Sequence, residues 1–169
     1  MFEIGDLVIY GNNGVCKITG IGKLDSSCAP KDEIYYTIEP YYSSGTKIYS
    51  PISNNKVIMR PVVSKEEAIE LIDEIDKIEA LWIADEKRRE FDYKETIRKC
   101  DCKELVKIIK TIYLRKQSRL AEGKKVTTSD EKYFRIAEEN LYGELAISLD
   151  MNKEEAKEYV IERVEHNTL

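Results

Sequence analysis

The stretch Phe2-Glu3-Ile4-Gly5-Asp6-Leu7-Val8-Ile9-Tyr10, followed by Gly11-Asn12-Asn13-Gly14 and then Val15-Cys16-Lys17-Ile18, decides the fold. Two short apolar runs meet across a corner of turn-forming residues, which predicts a β-hairpin at the mouth of a small barrel. Gly5-Asp6 lets the chain enter the first run through a tight bend, and Gly14 opens the second where backbone passes closely. Working outward, Thr19 to Ile21 prolongs the second strand, and residues 22–32, rich in Ser, Asp, Pro and Gly, read as a loop. Ile34 to Glu39 is strongly β-prone and Pro40 limits its extension. Ser43-Ser44-Gly45 turns into a strand over Thr46 to Ile52, and Asn54-Asn55 turns into one over Val57 to Arg60. Five short strands so closely spaced predict an SH3-like or Tudor-like five-stranded β-barrel over residues 1–62.

At Pro61 the apolar period changes from two to helical, so residues 63–169 are expected to form a compact all-α domain of five helices, and the chain falls in the α+β class. Ser64 with Glu67 forms a capping box for a first helix bearing Ala68, Ile69, Leu71, Ile72 and Ile75. A second helix is expected from about Ile78 to Ile97, apolar at Leu81, Trp82 and Ile83 and basic at Lys87-Arg88-Arg89. Asp101 caps a third, with Leu105, Ile108, Ile109 and Ile112 at helical spacing and Gly123 as its stop. Thr128 with Glu131 predicts the start of a fourth, lined by Tyr133, Ile136, Ala137, Leu141 and Leu145. Asn152 with Glu155 starts a fifth, bearing Ala156, Tyr159 and Val160.

Charged residues make up 35% of the 169 and the net charge is −5, which argues against a protein that simply coats nucleic acid. The distribution says more than the sum. Residues 81–125 hold fourteen Lys and Arg against eight Asp and Glu, between two acidic stretches, as where one face meets an anionic partner. No apolar run approaches the length of a membrane span and no leader precedes the strand pattern, so a cytoplasmic protein with no membrane partner is expected. Four cysteines, Cys16, Cys28, Cys100 and Cys102, are too few for a disulfide scaffold and are expected as free thiols.

Catalytic chemistry finds little purchase. His166 is the one histidine and lies near the end of the sequence, and no glycine loop runs into a helix that would aim amides at a phosphate. Cys100 and Cys102 have the wrong spacing for a zinc knuckle, so neither metal nor cofactor is expected and the chain reads as a non-enzyme. Lys87, Arg88, Arg89, Lys94, Arg98 and Lys99, followed by Lys103, Lys107 and Lys110, form either a phosphate-facing stripe or a salt-bridged helix face. Trp82 is either core or contact, since an indole buries much apolar area.

Taken together these residues resemble the CarD/CdnL family of bacterial RNA polymerase-binding transcription regulators, whose barrel also occurs in transcription-repair coupling factors. The likeness rests on Phe2 to Tyr10, Asn13-Gly14-Val15, Ile18, Ile21, Tyr35-Tyr36, the strand end Ile48 to Pro51, Met59-Arg60-Pro61-Val62, Ala137 to Leu141 and Glu144-Leu145-Ala146. It implies a regulator whose barrel edge adds to a strand of the polymerase β subunit; the free edge of such a barrel is expected at Thr46, Lys47, Ile48, Tyr49 and Ser50, and a monomer is expected. It implies too that the helical domain contacts promoter DNA weakly and without sequence preference at the upstream edge of the bubble, through a wedging Trp82 and the cations Lys87, Arg88, Arg89, Lys94, Arg98 and Lys99, so stabilising the open complex. Leu24 and Tyr49 stand where some relatives carry basic residues, and Trp82 lies about one helical turn before the family's wedge position, where Glu86 stands. A protein adaptor that touches no DNA is the alternative.

Overall fold

A computed structural model describes residues 1–167, and the chain forms two compact units, one of Met1–Val62 and one beginning at Val63. In the first, β1 (Leu7–Tyr10), β2 (Val15–Gly22), β3 (Tyr35–Pro40), β4 (Ile48–Pro51) and β5 (Met59–Pro61) make an antiparallel sheet of order β4-β3-β2-β1-β5. The opening hairpin pairs Val8 with Cys16 through a 3-10 turn at Gly11–Asn13. Gly14 then takes φ 66°, ψ −139°, a conformation that a side chain would forbid.

Alternation along the strands sends Val8, Tyr10, Cys16, Ile18, Tyr36 and Ile38 into one core, with Ile48 of β4 and Met59 of β5 packed against it. In a flat sheet those two edge strands would stand about 19 Å apart. Instead Ser50 and Pro51 of β4 and Met59 of β5 line a single cleft of about 390 Å³ together with Phe2, Tyr36, Ile52 and Val57, so the sheet curls until its edges face each other. It is a Tudor-like domain, open along the seam between β4 and β5.

The helical unit comprises α1 (Lys65–Glu74), α2 (Arg89–Arg98), α3 (Cys102–Ala121), α4 (Thr128–Leu149) and α5 (Lys153–Asn167). Its first residue is clamped: Val63 N–H donates to Glu144 Oε1 at 3.0 Å and Val63 O accepts from Ser148 Oγ at 2.7 Å, one turn further along α4. The Ser64 and Glu67 box forms as expected, with bonds of 2.7 and 3.1 Å. Asn152 and Glu155 exchange the same pair at 2.9 Å each. Gly123, at φ 72°, ends α3 in a Schellman turn: its own N–H reaches Leu120 O, and Lys124 N–H reaches Arg119 O at 2.8 Å. Ile72, Tyr93, Ile108, Ile112, Ala137, Leu141 and Leu145 are all but inaccessible and form the centre of the bundle.

Two expectations are corrected. The helix expected from Ile78 begins only at Arg89, because residues 78–85 run as an irregular strap after a short 3-10 turn at Ile75–Lys77. Asp85 caps the new start, accepting from Lys87 N at 2.9 Å in a 3-10 turn, Glu86–Arg88. On α4 the cap is Thr127, not Thr128; it accepts from Asp130 N at 3.1 Å. That phase puts Asp130 on the buried side with Tyr133 and Ala137, where its carboxylate has partners in α2 and α3.

Candidate polymerase and nucleic-acid interfaces

The bond from Ile52 N–H to Ile34 O, 2.9 Å, fixes the phase of the β3–β4 ladder. Ile48 and Ser50 pair with Ile38 and Tyr36 at hydrogen-bonded positions, whereas Tyr49 and Pro51, opposite Thr37 and Tyr35, alternate with them. The N–H and C=O of Tyr49 therefore face the open edge, and Pro51 stands where a missing amide costs the ladder nothing. Of the expected edge residues, Ile48, Tyr49 and Ser50 lie in β4 and Thr46 and Lys47 precede it. Tyr49 turns its ring outward and Lys47 stands 3.9 Å from Glu39. Ser50 turns into the unit, buried, with its hydroxyl unpartnered.

In the helical unit, Trp82 is 83% exposed although its neighbours Leu81 and Ile83 pack against the core. The extended strap explains the alternation: two apolar anchors point inward and the indole between them points out. Trp82 is thus not core. Anchoring comes mainly from α3. Lys110 Nζ donates to the carbonyls of Ile75 and Ile78, Thr111 Oγ1 accepts from Leu81 N at 2.7 Å, and Arg115 NH1 stands 3.1 Å from Glu86 Oε2.

Glu86 also opens a closed cycle. Both of its oxygens take the Arg89 guanidinium, Arg89 NH1 donates to Tyr93 OH at 3.1 Å, and that hydroxyl donates to Asp130 Oδ1 at 3.1 Å. Arg115 Nε, 3.1 Å from Asp130 Oδ2 as an ion pair without hydrogen-bond alignment, returns the cycle to Glu86. Hydrogen bonding to Arg89 holds the Glu86 carboxyl below its usual range, the same bond raises Arg89, and burial raises the Tyr93 phenol.

The basic residues separate into three kinds. Arg89 has only 16% of its side chain exposed and is committed to the cycle. Lys94, Arg98 and Lys99 are well exposed but paired with Glu90, Glu95 and Glu104 at 3.4, 2.9 and 2.8 Å. Lys87 and Arg88 are exposed and no carboxylate neutralises them among the described residues; the Arg88 guanidinium lies 5.0 Å above the ring of Phe91, itself half exposed. Beyond α2, Lys103 and Lys107 pair with Glu74 and Glu104, and Lys110 is turned inward, so no continuous stripe of free cations follows α2 onto α3. Sequence reasoning missed Thr111 and Arg115; Asp85 ahead of Glu86-Lys87 was a legible cap signal.

A curled, seam-open Tudor-like sheet followed by a helical bundle that holds an indole 83% exposed on an irregular strap defines a two-part docking protein. The chain matches the CarD-like/TRCF RID domain over residues 2–63 and the CarD C-terminal domain over residues 74–161, and it belongs to the CarD family. It is accordingly an RNA polymerase-interacting transcription regulator, from a family that is not enzymatic. Comparison with individually curated proteins gives no match. Among the described residues no helix is long and apolar enough to cross a membrane.

Proposed function

We propose that the open β4 edge takes a strand of the polymerase β subunit and that the helical unit stabilises the open promoter complex, with Trp82 entering the minor groove at the upstream edge of the bubble. The observation that carries this reading is the exposed indole on a strap held at both ends. A flat apolar side chain kept in water between two half-buried neighbours is suited to wedging between base steps, with cations nearby to hold phosphates. Lys87 and Arg88 supply those cations at once. Lys94 and Arg98 can exchange their carboxylates for phosphate, because exposed ion pairs are worth only about 0–1 kcal/mol, and Lys99 can do so because Lys107 still pairs Glu104. Arg89 shapes the site and does not touch DNA.

The test is Trp82→Ala, followed by thermal unfolding and by the lifetime of a polymerase-promoter open complex. The melting temperature should stay within a few degrees, since the indole buries little, while the lifetime shortens. An unchanged lifetime in the folded variant rejects the wedge. A second reading, an adaptor that binds polymerase without touching DNA, is favoured by the carboxylates beside Lys94, Arg98 and Lys99; it requires that Trp82→Ala weaken binding to polymerase when no DNA is present.

A further inference from the structure

We infer that Thr111, Lys110 and Arg115 of α3 are positioning residues that hold Trp82 in a DNA-ready place, an inference that rests on the proposed wedge. Their contacts fall along α3 in the same order as their targets fall along the strap. Lys110 takes the carbonyls of Ile75 and Ile78, Thr111 takes the amide of Leu81, and Arg115 takes the carboxylate of Glu86. The strap therefore runs alongside α3 in the same direction, fixed before, next to and after the indole. Neither a helix nor a strand ladder holds residues 78–85, so beside the inward packing of Ile78, Leu81 and Ile83 these polar contacts are what fix the backbone at Trp82.

Thr111 is the decisive contact. Its hydroxyl donates to Lys107 O at 2.6 Å, which aims an oxygen lone pair at Leu81 N–H, and that N–H is the backbone donor immediately before Trp82. The threonine is buried, so water does not readily replace it. Downstream, Glu86 is joined to Arg115 and Arg89, and through them to Tyr93 and Asp130, which ties the far end of the strap to α2, α3 and α4 at once. A wedge acts by arriving in the right geometry, and an anchored strap loses less freedom on binding than a loose one.

Trp82 is the only tryptophan in the sequence, so indole fluorescence reads the strap alone. Thr111→Val keeps the branched shape and removes the acceptor. In the full-length protein it should lower the indole anisotropy and raise quenching by acrylamide. In the polymerase-promoter complex it should shorten the open-complex lifetime by roughly fivefold or more, the scale of one lost buried partner. Thr111→Ser, which retains the hydroxyl, should restore both readouts. Should Thr111→Val fail to fold, Glu86→Gln loosens the downstream anchor from the solvent side without opening a cavity, and the same two changes are expected of it. Unchanged anisotropy in the folded variants overturns the inference, and so does an unchanged lifetime where Trp82→Ala shortens it. If Trp82→Ala itself leaves the lifetime unchanged, the wedge falls first and the anchors lose their purpose with it, a result distinguishable because the anisotropy still drops.

Discussion

Glu86 shows how one side chain can be read in opposite ways. By its place one helical turn after Trp82 it is expected where a wedge would stand; in the structure it is the hinge pin of a ring that closes through Arg89, Tyr93, Asp130 and Arg115. Its carboxyl, lowered by the hydrogen bond from Arg89, contributes stability that is present above the range where an unfolded glutamate titrates and is lost as the pH falls through the lowered value. The strap should thus be held at neutral pH and loosen only in acid, below the ordinary carboxylate range of about 4.3. Indole quenching followed across an acid titration should display that transition, and Glu86→Gln should lack it, because an amide does not titrate. A transition retained in Glu86→Gln would show that the Glu86 carboxylate does not hold the strap. Arg89 is held inward by Glu86 three residues before it and Tyr93 four after, a helical spacing visible in the sequence, whereas the burial of Tyr93 against Asp130 of α4 is set far along the chain and no spacing rule reaches that distance.

At the scale of the element, strands and caps were legible because their causes are local. The Gly11 to Gly14 corner, the Ser64 and Glu67 box, and Gly123 each satisfy orphan backbone groups within a few residues. The stretch from Ile78 to Asp85 was not legible as a strap, because its apolar residues are compatible with helical spacing and its amide finds a partner in Thr111, which carries no sequence signal. The β4 edge carries a sharper expectation. Tyr49 presents the outward amide, so Tyr49→Pro should remove the donor that strand addition needs while the β3–β4 ladder stays whole, as Pro51 already shows on the same edge. Capture of the polymerase β-subunit lobe should fall at least tenfold for Tyr49→Pro and much less for Tyr49→Ala, which keeps the amide. Equal losses would assign the contact to the phenol ring instead of the backbone.

Across the whole molecule, charge is distributed so that the proposed DNA contact of an acidic protein falls where carboxylates leave cations free. Lys87 and Arg88 are such a place, and in the proposed complex the paired residues beside them would set an upper limit on the number of phosphate contacts. Replacing both by Gln should flatten the dependence of promoter-complex stability on salt by about two in the log-log slope, and leave binding to polymerase without DNA as it was. An unchanged slope would move the phosphate contacts elsewhere or favour the adaptor. Composition alone pointed to the basic segment between acidic ones, but it did not separate committed cations from free ones, since that depends on which helix faces lie together. The proline at the end of β4 has a consequence of another kind. An edge that offers outward hydrogen bonds at Tyr49 and then stops at Pro51 is too short to template a fibre of its own copies, and too short to grip a partner by backbone alone. In the proposed strand addition, recognition would then depend on the partner's side chains as well, which makes the contact selective and reversible at once.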